Sequence, residues 1–433
     1  MALPAATLRS LRHRNYRLWA AADLVSVTGT WMQVLGVNWL ILSATGSATS
    51  VGISLVLQAL PTLALGMWGG SLADRLPSRP VVLAAQIAQA GLALVLAAIA
   101  MGEPRSMAPI YVVMLASGVV SALGGPALGR FGAEVVPPED LPNAMALGSV
   151  ISSGARILGM SAAGILLPIT GIGALFLINA TSFLAVIGAI FAMRRSEMHV
   201  LARASSTAEF GVGEGVRYVL RTPWLLVLLG LALVLGSLGR NYQVTMAAMS
   251  AGPLAAGSAG YGVLSTVFAV GTVIGGVVAA GRARLTLRLL LCAAMLASAV
   301  QLLSGLAPGF LSFAALMLPV AASAVVLDTA VAARAQLDSP DHMRGRVIAV
   351  LGVVSAASGA VGGPLLGWLS DTFGPRLALQ LGGVVTVAAT LLAAVLFARL
   401  AGVRLGTAVR EPLRLASLRR ARVVPEPAVP EQA

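Results

Sequence analysis

The chain has no lysine at all: its 29 basic side chains are all arginine. A Walker A phosphate loop needs its lysine, so an ATPase of that kind cannot reside within this chain. The single cysteine, Cys292, lies in an apolar run. It excludes internal disulfides and cysteine-rich metal sites, and reads as a small residue facing lipid or a neighbouring helix. Three histidines (His13, His199, His342) are scattered too widely for H-E-x-x-H. Charged residues amount to only 10%, where soluble domains carry about 25%. With these elements missing, no catalytic site, metal or cofactor is expected.

What is present is oil. Hydrophobic residues make up 58% of the 433 and the mean hydropathy is +0.91, which makes this a membrane protein. The formal net charge of +13 would suit nucleic acid, but in a membrane chain the arginines read as topology signals and no nucleic-acid partner is expected. A bilayer core takes about 20 apolar residues per helix. Counting such runs gives twelve, at 17–42, 48–72, 80–101, 107–130, 143–167, 172–193, 223–247, 258–281, 286–306, 309–332, 346–370 and 376–400. The first run is too long for a signal peptide and no cleavage site follows it. The fold class is therefore all-α, with twelve transmembrane helices.

The organisation follows from these runs. Residues 1–16 form a basic N-terminus, 17–193 a first six-helix half, 194–222 a central loop, 223–400 a second half, and 401–433 a tail. The central loop holds Glu214 to Arg221, a candidate helix lying on the membrane face. The tail begins arginine-rich, suited to anionic lipid, and ends in Pro-Glu-Pro-Ala, a disordered composition. With both termini in the cytoplasm, 25 of the 29 arginines fall on that side. Arg105 and Arg376 stay outside, and Arg156 and Arg240 lie within spans. The halves also repeat. At an offset of 203, Gly159, Gly164 and Gly171 fall on Gly362, Gly367 and Gly374. A second correspondence joins the stretch Gly69–Pro80 to Gly275-Gly276-Val277-Val278-Ala279-Ala280-Gly281-Arg282, where the aspartate has become alanine. Two halves joined by a basic loop describe a transporter that rocks about a central site.

One stretch breaks the apolar pattern: Gly69-Gly70-Ser71-Leu72-Ala73-Asp74-Arg75-Leu76-Pro77-Ser78-Arg79-Pro80. It resembles the signature between spans 2 and 3 of the major facilitator superfamily. Asn15-Tyr16-Arg17-Leu18-Trp19, Thr28–Gln33, Leu42–Ser47, Pro137–Leu141 and Arg344-Gly345-Arg346-Val347 add to the likeness, which runs from about residue 8 to 400. The chain is similar to the bacterial efflux branch, with its siderophore exporters and macrolide-efflux-like proteins. That resemblance implies alternating access, export of a small amphipathic or apolar compound (drug-like or siderophore-like) by proton antiport, a plasma-membrane location and a monomer. An importer or uniporter of the same fold is the alternative; a transport-inactive scaffold or sensor is the reading from another class. The chain departs from relatives in placing Met160 where span 5 often has proline, and Asn38 where many carry an acid in span 1.

Candidate site residues fall into three groups. Asp74, Arg75, Arg79, Arg130 and Gly70 form a candidate cytoplasmic latch. By the resemblance Asp74 caps the N-terminus of span 11, where the helix dipole favours negative charge, with Arg130 as its ion-pair partner. The plainer reading is a topology determinant. Asp23, Arg156, Arg240, Asp328, Gln33 and Asn38 are candidates for a substrate or proton pathway. A mid-bilayer arginine costs about 2.5–3.5 kcal/mol on insertion scales, so Arg156 needs a partner or water. Asp23 is the candidate, either as a functional charge pair or as a structural one. Gly159, Gly359, Gly363, Pro364 and Gly367 are candidate helix-packing positions, and Gly66-x-x-x-Gly70 and Gly271-x-x-x-Gly275 are read as close helix contacts. Trp39 and Trp68 are read as packing or an interface belt.

Overall fold

In a computed structural model, the described residues are 5–102, 106–199, 212–282, 285–340 and 343–400. The basic tail, Arg105 and the middle of the central loop lie outside them. Fourteen helices follow in order: α1 (Arg14–Thr45), α2 (Ala48–Arg75), α3 (Ser78–Met101), α4 (Ala108–Glu134), α5 (Leu141–Thr170), α6 (Ile172–Ala192), α7 (Val212–Arg221), α8 (Pro223–Gly239), α9 (Tyr242–Ala251), α10 (Gly257–Ala280), α11 (Leu287–Ser304), α12 (Phe310–Leu337), α13 (Arg344–Phe373) and α14 (Pro375–Leu400). Twelve spans are long and apolar enough to cross a membrane, α8 and α9 together making one of them. Leu311, Ile169 and Phe191 point outward, 82%, 73% and 68% exposed. Such a surface suits lipid and would not stay monomeric in water.

The seventh span is broken, a feature its apolar run does not announce. α8 stops at Gly239 and α9 starts at Tyr242, which orphans the last carbonyls of α8. Asn241 repairs two of them, its Nδ2 donating to the Gly236 and Ser237 carbonyls at 3.2 and 3.0 Å. Gln301 of α11 donates to the Leu238 carbonyl at 2.6 Å. Non-helical backbone at this depth survives only because side chains take over its hydrogen bonds.

The helices pack in one pattern used twice. α2 lies on α4, α3 on α4 and α6, and α1 on α5 and α6; correspondingly α10 lies on α12, α11 on α12 and α14, and α8 on α13 and α14. Equivalent glycines make equivalent contacts. A Cβ on Gly159 of α5 would sit 2.5 Å from the Thr28 carbonyl of α1, and one on Gly362 of α13 would strike the Ser237 carbonyl of α8. Gly171 and Gly374 end these two helices with φ of +80° and +85°, a conformation only glycine adopts freely.

Two seams join the halves, α2 against α13 and α5 against α10. Their contacts gather toward the end of the bundle away from Arg14 and the α2–α3 turn, here called the distal end. A Cβ on Gly52 would strike the Gly363 carbonyl, one on Gly367 would lie 2.5 Å from the Ala48 carbonyl, and one on Gly164 would lie 2.6 Å from Gly262 Cα. Backbones this close need glycine on at least one side. The expected contacts at Gly66, Gly70 and Gly359 are corrected: a Cβ at any of them meets open space. Gly69 makes the close approach instead, onto the Ala122 carbonyl, and its counterpart Gly275 does the same onto Ala322. The helix face, set by 100° per residue, selects the neighbour of the glycine that the sequence pattern suggests.

Candidate transport site and gating elements

At the proximal end, the charged stretch between α2 and α3 meets the end of α4. Arg130 Nε donates to Glu134 Oε1 at 3.0 Å, and Arg130 Nη1 donates to the Ala73 carbonyl at 3.2 Å. Asp74 Oδ1 stands 3.8 Å from the same Nη1, with its side chain 53% exposed. Ser78 Oγ also donates to Glu134, which is 6% exposed. A buried carboxylate left unpaired would be costly, so Glu134 is the tight partner of Arg130 and Asp74 the loose one. Sequence reasoning missed Glu134, although its i,i+4 spacing from Arg130 was a usable signal.

The remaining latch candidates are dispersed. Arg79 turns away from Asp74 to the Ile190 carbonyl of α6 (2.9 Å), beneath the Phe191 ring at 6.0 Å. Arg75 is exposed. Among the described residues, Asp74 makes no capping hydrogen bond to the start of span 11. The first turn of α13 is instead covered by α7, where a Cβ on Gly215 would lie 3.0 Å from the Arg346 carbonyl. The expected helix at Glu214–Arg221 does exist, but its packing surface is protein, α13 and α8.

Toward the middle of the spans, Arg156 of α5 reaches across to the second half. Its Nη2 donates to Thr272 Oγ1 of α10 at 3.1 Å. Its guanidinium lies 5.1 Å from the Trp31 ring centroid and 5.9 Å from that of Phe268. The expected pairing with Asp23 is corrected. Asp23 lies eight residues before Trp31 on α1, about 12 Å along a helix at 1.5 Å per residue, and no ion pair joins it to Arg156. Arg240, in the break between α8 and α9, instead makes an ion pair with Asp328 of α12. Both were expected near the pathway, but their pairing was not.

The neutral polar candidates are tied to other helices. Asn38 Nδ2 donates across the seam to the Tyr261 hydroxyl at 3.1 Å, and Trp39 stacks on the same ring with centroids 6.1 Å apart. Trp39 therefore packs between the halves, whereas Trp68 is 64% exposed. Gln33 accepts from Asn179 of α6 at 2.8 Å. Gln33, Asn38, Ser54, Gln58 and Met114 border a cavity of about 10 Å³, room for a single water molecule. Among the described residues no group of three or more His, Cys, Asp or Glu is placed to hold a metal ion.

The distal end carries a clasp that sequence reasoning missed. Asp371, near the end of α13, meets the start of α2. One carboxylate oxygen accepts from the Ala48 N–H at 2.7 Å. The other accepts from the Thr49 N–H at 3.0 Å, Thr49 Oγ1 at 2.6 Å and Ser47 Oγ at 2.7 Å. A carboxylate from one half thus caps a helix N-terminus of the other, where free N–H groups and the dipole favour negative charge. The available signal was an acid at the far end of span 11, in a region otherwise poor in charge.

Comparison with known proteins now fixes the family. Residues 5–411 match the family described as transmembrane secretion effector. The uncharacterized MFS-type transporter YfiS of Bacillus subtilis (strain 168) is 27% identical over 214 residues, which is 48% of this chain and 49% of that protein. The match thus spans about half the length of that relative. Among solved structures, the nucleoside transporter NupG superposes with TM-score 0.72 at 11% identity, covering 89% of this chain and 99% of NupG. A bacterial homologue of the iron transporter ferroportin, in an inward-facing state, gives 0.68 at 16% identity over 89% of this chain and 98% of its own. A bacterial homologue of the lysosomal transporter Spinster, inward-facing and unoccupied, gives 0.62 at 14% identity over 96% and 99%. At such identities the likeness speaks for the fold alone. The family match covers nearly the whole chain, so this protein is a multi-pass membrane transporter, not an enzyme, and belongs to the transmembrane secretion effector family of the major facilitator superfamily.

Proposed function

We propose that this transporter exports a small amphipathic or apolar compound across the plasma membrane by proton antiport, through alternating access. The observation that carries the reading is the pairing of two features. The halves meet at distal glycine contacts and the Asp371 clasp, and ionisable side chains (Asp23, Arg156, Arg240, Asp328) stand within otherwise apolar spans. Intramembrane charges of this kind mark substrate and proton pathways. The arginine distribution supports a cytoplasmic proximal end and cytoplasmic termini; in that orientation the clasped distal end is external and the present state inward-facing.

In this reading Asp23, which has no ion-pair partner among the described residues, is the first candidate to carry the proton, and Asp328 the second, its proton competing with Arg240. A proton entering down the potential supplies about 2.3 kcal/mol per 100 mV. Asp74 and Arg130 act as the cytoplasmic latch when the halves rock the other way, and a drug-like or siderophore-like cargo suits spans that carry so few charges. The test is a substrate panel in inverted vesicles under an imposed pH gradient, read for cargo uptake and proton release together. Gradient-driven uptake that loses its proton signal in the Asp23→Asn, Asp328→Asn double variant is the expected result. Uptake indifferent to the gradient would refute antiport and leave a uniporter. Flux only in the opposite sense would make the protein an importer.

A further inference from the structure

The intramembrane ionisable groups divide unevenly. Arg240 has Asp328; Arg156 has no carboxylate within ion-pair distance among the described residues. Its surroundings are one hydroxyl and two aromatic rings. Thr272 accepts the Nη2 hydrogen bond at 3.1 Å and passes its own proton to the Ala269 carbonyl at 2.6 Å. Trp31 and Phe268 stand within 5.1 and 5.9 Å of the guanidinium carbon. A guanidinium has five N–H donors, and this one uses a single donor on Thr272. Arg156 is half-buried and none of its nitrogens is both sealed from solvent and unpartnered, so the remaining donors face accessible space. Fourteen residues separate Arg156 from the distal end of α5 at Thr170, roughly 21 Å at 1.5 Å per residue, so this opening lies deep in the span.

A cation held this deep in the span, flanked by two rings and with donors left unused, lacks only its counter-charge. We infer that Arg156 is an anion-binding subsite, and that the cargo is an amphipath bearing a carboxylate, with Trp31 and Phe268 packing against its apolar body. This rests on the reading of the chain as a transporter and names the substrate class of that same site. The planar fork of arginine matches a carboxylate with two parallel hydrogen bonds, which a lysine cannot reproduce. Because Arg156 stands on α5 while Thr272 and Phe268 stand on α10, the bound anion would sit across the seam between the halves. Asp23, eight residues before Trp31 and so about 12 Å from it along α1 at 1.5 Å per residue, would then act on the proton and leave the cargo charge to Arg156.

The experiment uses the full-length protein in nanodiscs and three probes of one shape: 2-naphthoate, 2-naphthalenemethanol and 2-naphthylmethylamine. Binding is measured by calorimetry to wild type, Arg156→Gln, Arg156→Lys and Thr272→Val, each first checked for an unchanged elution profile and melting temperature. The expected result is binding of naphthoate at least about tenfold tighter than of the alcohol, a preference abolished in Arg156→Gln and reduced in Arg156→Lys. Thr272→Val, which leaves the charge in place, weakens naphthoate less than Arg156→Gln does. Equal binding of naphthoate and the alcohol to wild type would overturn the proposal, as would equal loss of both probes in Arg156→Gln, the mark of a structural arginine. If Arg156→Gln fails to fold, the wild-type preference among the probes still decides. Anion-selective binding without gradient-driven flux would sink the antiport reading alone, and flux confined to neutral or cationic compounds would sink this one alone.

Discussion

The Asp371 clasp is the most direct point at which to perturb the conformational equilibrium. Its carboxylate accepts hydrogen bonds from Ser47 Oγ, the Ala48 and Thr49 N–H groups and Thr49 Oγ1, all on the other half. Asp371 is exposed, so its full charge-assisted strength does not apply. Losing a helix N-cap costs about 1 kcal/mol, and losing a negative charge beside a helix N-terminus about 0.3–1 kcal/mol. Asp371→Ala therefore weakens the distal closure by about 2 kcal/mol, and Asp371→Asn, which keeps one acceptor oxygen, by about half of that. A change of 1–2 kcal/mol moves a two-state ratio by roughly 5- to 30-fold. α2 itself should stay intact, because Ser47 Oγ accepts from the Ser50 N–H at 3.2 Å within its own helix.

Spin labels at Thr170→Cys and Ala251→Cys, both exposed at distal helix ends of opposite halves, would report the change by pulsed dipolar spectroscopy. The native Cys292, free and exposed, must first be replaced by serine. The expected outcome is a longer-distance population that grows from wild type to Asp371→Asn to Asp371→Ala. A distance distribution identical in all three proteins would refute the assignment of Asp371 as a closing element. The glycine seam alone would then hold the distal end.

Two further predictions address the other end and the seams. Glu134→Ala removes the acceptor that Arg130 Nε and Ser78 share and should cost about 2–3 kcal/mol in thermal unfolding, whereas Asp74→Asn should leave the melting temperature in place and impair transport; equal melting losses, or full transport by Asp74→Asn, would reverse that ranking. Gly164→Val and Gly52→Val each drive a side chain into backbone across a seam and should shift the protein toward an open distal end in the same dipolar experiment, while Gly70→Ala and Gly359→Ala, which meet open space, should change neither distances nor melting by more than about 1 kcal/mol.

The parts of the fold that could be read from the sequence are those that a single helix determines for itself. Span count follows from runs of apolar residues, and each observed span lies within a few residues of its expected place because the bilayer sets the length. The repeat was legible because Gly159, Gly164 and Gly171 recur at one offset; Gly362 and Gly367 make contacts matching those of Gly159 and Gly164, and Gly374 shares the positive φ of Gly171. Partnerships between helices were not legible. Whether Arg156 meets Asp23 or Thr272 depends on helix rotation and axial height: Asp23 lies eight residues, about 12 Å at 1.5 Å each, from Trp31, the α1 residue that Arg156 does reach. Glu134 stayed hidden because, read alone, an acid at a helix end is a solvated charge; only the packing of α2, α3 and α4 buries it. The break at Arg240–Asn241 was invisible for a related reason. Its carbonyls are satisfied partly by Gln301, sixty residues along the chain, and no local pattern encodes that rescue.

The two aspartates at the ends of the α2–α13 seam deserve to be considered as one arrangement. These helices are antiparallel neighbours, so the C-terminal end of each lies beside the N-terminal end of the other. Asp74 ends α2 at the proximal side, and Asp371 sits near the end of α13 at the distal side. Each acid is thus carried toward the N–H groups and positive dipole end of the opposite helix. Here the distal one is engaged, while Asp74 is half-exposed and only loosely held by Arg130. Rigid halves that rock about their middle cannot close both ends at once, so engaging one acid requires releasing the other. The second seam has no such pair: Ala280 stands where the repeat would place a second Asp74, and Pro168 where it would place a second Asp371. Glycine contacts and the Ser161–Thr266 and Arg156–Thr272 hydrogen bonds hold α5 on α10 instead. In the proposed transport cycle the pseudo-symmetric scaffold therefore carries acids at the ends of the α2–α13 seam only, while glycine contacts and neutral or single-arginine hydrogen bonds hold the α5–α10 seam.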